Sequence, residues 1–281
     1  RAALAGHSPV LTHEAASARS AHPPLDGGDP IPLVDHAVAR PTRQSSLDPD
    51  SHSGWMFATA AEREPWWELD LGGQVLGAFD GKTLIGFGFA LPGYRDGRAY
   101  LHSHILAVLP DYRNAGIGRR LKLAQRDDAI ARGLDLMEWT FDPLEIKNAH
   151  LNIARLGAVV RRYHPNLYGP SSSLLQGGLP TDRLYAEWWL RSPRVESLLR
   201  GEALPPQAIE RRITVPHAIA EWKQDPRRRD LAQAVQSGNR EAFAAAFRHG
   251  LAVVGHERDV VGNGVFLLGR WDAPSAKMKI P

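Results

Sequence analysis

LHSHILAVLPDYRNAGIGRRLKLAQ, residues Leu101 to Gln125, is the stretch on which the reading of this chain turns. Its first part alternates through a β-rich run. In an extended strand Tyr100, His102, His104, Leu106 and Val108 therefore share one face, with the two imidazoles as neighbours. Its last part carries Ile117, Leu121, Ala124, Ile130 and Leu134 near helical spacing, with Gly133 as a stop, which predicts a helix of about four turns. Between strand and helix lies RNAGIG, so the first amides of the helix point out of the turn with no internal partner and with the positive end of the helix dipole behind them.

A turn of that kind attracts anions. Gly116 and Gly118 allow positive φ and close backbone approach, and Arg113 and Arg119 can add charge-assisted hydrogen bonds, so a pyrophosphate would fit on the amides of Asn114, Ala115, Gly116, Ile117, Gly118 and Arg119. The turn is no Walker loop, because no Gly-Lys-Ser/Thr follows. As a dinucleotide fingerprint it lacks the third glycine and the βαβ setting. Taken alone, AGIG also suits an ordinary tight turn.

Outward from this stretch the chain continues in short units. GGQVLGAF (Gly72 to Phe79) and TLIGFGFAL (Thr83 to Leu91) read as a hairpin closed at Asp80-Gly81, with Ala99 to Leu109 as the neighbouring strand. DLMEWTF (Asp135 to Phe141) is a strand, and NAHLNIARLG (Asn148 to Gly157) is a short helix ended by glycine. AVVRRYH (Ala158 to His164) and RLYAEWWL (Arg183 to Leu190) complete the order β-β-β-α-β-α-β-β. Residues 1–65, with prolines at 9, 23, 24, 30, 32, 41, 49 and 65 and no sustained period, read as irregular. After Pro193 comes a C-terminal α/β extension over 194–281: a strand at Ile209 to Val215, a helix from Arg229 to His249, and a hairpin turning near Gly262-Asn263-Gly264. The middle domain spans 66–193.

A strand ending AVLPDYR, then a loop with paired glycines, then a helix beginning GRRLKLA resembles the acyl-CoA-binding signature of the GNAT (Gcn5-related N-acetyltransferase) superfamily. Arg113 to Gly118 match its Arg/Gln-x-x-Gly-x-Gly/Ala loop, and the likeness runs from about Leu71 to Leu190. The resemblance implies an α/β (α+β) fold whose mixed, mostly antiparallel sheet has splayed central strands flanked by helices. It also implies a pantetheine arm on the backbone of Leu106, Ala107 and Val108, a diphosphate on Asn114 to Arg119, and Asn148 as a further cofactor contact. LHSHILAV is similar to the His-x-His-x-Leu-Ala-Val strand of serotonin N-acetyltransferase and its arylalkylamine relatives, where the histidine pair relays a proton. The whole pattern, including EWTFDPLE, NIARLGAVVRRY and the extension, also resembles a group described only as predicted GNAT acetyltransferases.

The chemistry agrees with those residue types. Making an amide from a thioester needs the acceptor as free amine, so a base must remove a proton from the ammonium, and imidazole with a reference pKa near 6.5 suits the task. His102 and His104 are the candidates. They would equally suit hydrogen-bonded positions on a half-buried strand, and as a metal pair they lack a third ligand at a fitting spacing, so no metal is expected. The superfamily commonly places a Tyr, as acid for the leaving thiolate, where this chain has Ile153. Tyr163 and Tyr168 could reach back from the next strand, and a thiol pKa near 8.5 makes unaided departure tolerable. Glu138 is either a substrate carboxylate or a salt-bridged strand residue, and the Trp pairs in EWWL and PWWEL read as packing.

With 281 residues, 43% of them hydrophobic, the chain can bury a full core. It has no cysteine, which excludes disulfides, thiolate metal sites and cysteine nucleophiles. No apolar run reaches the roughly 18 residues of a membrane span and no signal-like opening is seen, so a soluble, cytoplasmic protein is expected. Lys plus Arg number 34 against 31 acids, too even to announce nucleic acid. RRITVP and DPRRRD hold local excess that reads as a solvated face. The expected activity is transfer of an acetyl or short acyl group from acetyl-CoA or another acyl-CoA to a primary amine. The alternative is a non-catalytic acyl-CoA sensor that meets a partner through its C-terminal unit, which is also free to wall the acceptor pocket or to form a homodimer.

Overall fold

The computed structural model describes residues 33–34 and 72–274, except 81, 82, 170, 172, 174 and 175. Its strands form one ten-stranded sheet ordered β1-β2-β3-β4-β5-β7-β6-β9-β10-β8. The N-terminal half supplies β1 (Leu33–Val34), β2 (Gln74–Asp80), β3 (Thr83–Arg95), β4 (Arg98–Val108) and β5 (Leu136–Phe141). β6 (Val159–His164) and β7 (Arg183–Trp189) follow, then β8 (Arg211–Val215), β9 (Leu251–Arg258) and β10 (Gly264–Arg270). The predicted order of elements from β2 to β7 is the one observed. Within 1–65, read as irregular, Leu33 and Val34 pair with Ala78 and Gly77. The rest of that segment, and the tryptophans of PWWEL, lie outside the described residues.

All pairings are antiparallel except β4 with β5, which is parallel. A parallel step needs a crossover, and α1 (Ile117–Ala131) is that crossover. α2 (Ile146–Ala149) runs on into a π-helical stretch, His150–Arg155, before β6. The C-terminal part adds α3 (Pro193–Leu199), α4 (Ile219–Gln224) and α5 (Arg229–Arg248). Its strands are not a separate layer: Val253 of β9 pairs with Val160 of β6, so the sheet continues from one part into the other.

One apolar core runs along the helical side of the sheet. It joins Leu123 and Ala129 of α1, Ala149 of α2 and Ile153 of the π-helical stretch, Met137, Trp139 and Phe141 of β5, Trp188 of β7, Phe243 of α5, and Val253 and Phe266 of the C-terminal hairpin. At roughly 25 cal/mol per Å² of buried apolar surface, one such continuous core favours holding the two parts together rather than side by side. Polar ties reinforce it. Lys223 of α4 is buried and donates to Asp142 and Glu145, which lie between β5 and α2. The opposite side of the sheet carries smaller clusters: Phe87 and Phe89 with Leu91, Ile105 and Ala107 at one end, and Leu136, Val159 and Trp189 at the other.

Candidate active site

Two features of β4 make the site. The first is a bulge: Ile105 pairs with Phe89 and Ser103 with Ala90, so His104 stands between with no partner across the ladder. An extra residue reverses the alternation of faces beyond it. Hence the expectation that Tyr100, His102, His104, Leu106 and Val108 share one face does not hold. Leu101 and Ser103 face the helices before the bulge. Beyond it, Ile105 and Ala107 join the Phe87–Phe89 cluster, whereas Leu106 lies against α1, close to Gly118. The histidines remain neighbours, with ring centroids 6.0 Å apart and planes tilted by 45°. His102 is half-buried and His104 exposed.

The second feature is the parting of β4 from β5. Only Leu101 with Met137 and His102 with Glu138 are in register, and from His104 onward β4 has no partner on that edge. Leu106, Ala107 and Val108 pair with β3 alone, through Gly88, Phe87 and Gly86. The strands thus form a fork whose base is at His102 and Glu138, with no strand partner on that side of the β4 arm, where Arg113 takes the Val108 carbonyl.

At the open end of the fork the chain passes through a 3₁₀ turn, Pro110–Tyr112, into α1. Asn114 and Gly116 take left-handed φ of 65° and 76°. The helix starts at Ile117 without a side-chain cap, and its first internal bond is from the Arg120 amide to Gly116. The amides of Ile117, Gly118 and Arg119 are therefore first-turn donors without intrahelical acceptors. Ile117 itself is buried and can offer only its backbone, while Asn114 and Ala115 are exposed. A Cβ on Gly118 would meet nothing nearer than Leu106, at 3.6 Å, so packing within the described residues does not demand glycine there. Arg119 Nε is buried with no hydrogen-bond partner, and burial, then the charge of Arg155, pulls its pKa down. Arg113 does more local work than expected, since its Nε donates to the Val108 carbonyl at 3.1 Å. Bare amides, an open glycine and an unanswered guanidinium fit a phosphate-bearing group.

On the sheet face beside His102, Glu138 is 1% exposed and is held by the guanidinium groups of Arg95 and Arg162. This is the salt-bridged reading rather than a free carboxylate. Its cross-strand neighbour Glu187 is likewise buried and bonded by Arg161. Desolvation by burial lowers the pKa of His102, as does the charge of His104, and Glu138 opposes them. His102 is thus held as the neutral imidazole near neutral pH.

Other candidates fall away from the chemistry. Ile153, at the position of the superfamily tyrosine, is fully buried in the core. Tyr163 donates to Asp182 and stacks on Phe243; burial and that bond push its pKa far above the ordinary phenol value, so it keeps its proton. Tyr168 shares a hydrogen bond with Thr140. Asn148 accepts from Asn152 on its own helix at 3.2 Å. Trp188 is core, its indole bonded to the Leu156 carbonyl, and Trp189 lies under Arg98. Sequence reasoning missed Lys122. It shares a stripe with Gln125 and Ala129 at helical spacing, and all three are buried. No group of three or more metal-ligating side chains occurs among the described residues, and no helix there is long and apolar enough to cross a membrane.

A forked parallel pair beside an uncapped helix start marks the candidate site of this α/β protein. Residues 42–152 match the model of the acetyltransferase (GNAT) family. Among solved structures it is similar to a GNAT family acetyltransferase from Elizabethkingia anophelis with acetyl-CoA bound, at 17% identity over 58% of this chain and 99% of that one, with a TM-score of 0.42. It is also similar to the IAA acetyltransferase from Bacillus cereus, at 18% identity over 56% and 98%, with a TM-score of 0.40. Naa50 of Arabidopsis thaliana, in complex with the bisubstrate analogue CoA-Ac-MVNAL, matches at 17% identity over 40% and 70%, with a TM-score of 0.34. No curated protein matches the chain.

Proposed function

We propose that this protein transfers an acetyl or other short acyl group from acyl-CoA to a primary amine by direct attack on the thioester. The observation that carries the reading is the coincidence of the β4–β5 fork, the bare first turn of α1 and the neutral imidazole at the base of the fork. Acyl-CoA supplies the activated acyl group. The amides of Ile117 to Arg119 and the Arg119 guanidinium hold its diphosphate, and the unpaired β4 edge from Leu106 to Val108 orients the arm that follows. His102 and His104 take the proton from the incoming ammonium, directly or through water. The half-open face around His102, Glu138 and Glu187 receives the amine. Nothing favours nucleic acid as a ligand, and the similarity of the His-x-His strand to that of arylalkylamine acetyltransferases remains a reading of the sequence.

Acetyl-CoA is expected to raise the melting temperature of the purified protein, and a panel of small amines, amino acids and peptides is expected to contain an acceptor that releases free CoA thiol. Binding without thiol release from any acceptor turns the assignment into the sensor reading. Absence of binding removes both. Gly118→Val checks the phosphate cradle separately. Because only Leu106 lies within 4 Å of the new Cβ, stability should stay within about 0.5 kcal/mol, whereas acetyl-CoA affinity should fall by about tenfold or more, roughly 1.4 kcal/mol. Unchanged affinity in isothermal titration would move the diphosphate elsewhere.

A further inference from the structure

Among the described residues, Lys122 is the buried cation at the fork that the mechanism above does not use. It is 3% exposed, yet among the described residues no carboxylate bonds to it. Its Nζ donates to Ser103 Oγ of β4 at 2.7 Å, and Ser103 Oγ in turn donates to Gln125 Oε1 at 2.9 Å. On the other side Nζ lies 3.8 Å from the ring centroid of Trp139, on β5. The ammonium therefore bridges the two arms where they part: Ser103 is the residue between His102 and His104, and Trp139 follows Glu138. A buried, unpaired ammonium is costly to fold, and one hydroxyl and one indole face do not offset that cost. Burial pulls the Lys122 pKa down to about 7, so near neutral pH it both holds and gives up a proton.

We infer that Lys122 is the proton donor to the departing sulfur, in the role for which this chain has no tyrosine at Ile153. The inference rests on the acyltransferase reading. The amine loses two protons overall. When the tetrahedral adduct collapses, the carbon–sulfur bond breaks, its electron pair goes to sulfur, and sulfur takes a proton from Lys122 Nζ to leave as thiol. The neutral Lys122 amine is reprotonated from water or from the histidine pair, and the second proton goes to solvent. The groups facing Nζ are Ser103 on β4, Gln125 on α1 and Trp139 on β5. His102 and Lys122 feel one another's charge across the strand.

The test uses the full chain with Lys122→Met, which fills the apolar space, and Lys122→Gln as a second variant. The first readout needs no turnover. CoA thiol bound to the native protein is expected to titrate to thiolate, followed by ultraviolet absorbance, at lower pH than free CoA, and this shift should vanish in both variants while CoA still binds. The second is leaving-group dependence: with acetyl-CoA the variants should lose about 10²-fold in kcat, whereas with the selenium analogue, whose selenolate is a better leaving group, they should lose tenfold less. An unshifted thiol in the native complex, or equal losses with both donors, overturns the role of Lys122 while leaving the acyltransferase reading intact. Failure of the native protein to bind CoA overturns both.

Discussion

Replacing His102 and His104 together by alanine is expected to lower kcat/KM by about 10²–10⁴-fold, with little change in acetyl-CoA affinity. The acid side of the pH profile carries the sharper expectation. Burial first, and His104 second, lower the pKa of His102 below 6.5. The neutral form of His102 therefore predominates at pH 6.5, so the acid limb of kcat/KM for the native enzyme should lie at lower pH than an ordinary imidazole would give. In the double variant that acid limb should disappear along with most of the rate. A double variant with native kcat/KM and the native acid limb would falsify the assignment of the base. His102 holds this state because the register pairs it with Glu138 at the base of the fork, where it is half-buried but still open to the sheet face.

The largest stability effect is expected at Asp182. It is fully buried and gathers the Tyr163 hydroxyl, the Asn166 amide and two nitrogens of Arg240, the last from α5 at 2.9 and 3.0 Å. One carboxylate thus ties β6 and the start of β7 to the long C-terminal helix. Asp182→Ala leaves Tyr163 and Arg240 without their acceptor. The expected loss is about 3 kcal/mol, the low end for breaking a buried pair, because Arg240 keeps 36% of its side chain exposed and regains water. For comparison, Tyr163→Phe removes a single hydrogen bond and should cost about 1 kcal/mol. Urea unfolding measures both. Equal midpoints for Asp182→Ala and the native chain would mean that α5 is held by its apolar face alone.

Much of this was readable from the chain. The order of elements from Gln74 to Trp189, the helix that starts at Ile117 and the glycine turn before it follow from periodicity and turn chemistry, which are local properties of neighbouring residues. Gly116 had to be glycine-like because the turn takes φ of 76° there, and a left-handed residue is a local demand. The neighbouring histidines were legible for the same reason. The C-terminal helix and hairpin were also foreseen, though not that Val253 would pair with Val160 and carry the sheet onward.

What only the tertiary structure decided are relations between distant segments. The bulge at His104 depends on how β4 registers against β3, and a shift of one residue sends every later side chain to the other face; hence the expected shared face of His102, Leu106 and Val108 was lost. Glu138 could be read as a ligand or as an ion-pair partner until Arg95 and Arg162, 43 and 24 residues away, were seen to converge on it. Lys122 looks in the sequence like any lysine of an amphipathic helix. Its meaning arises from Ser103 and Trp139 closing around it, because desolvation is set by what packs against a charge and not by its neighbours along the chain.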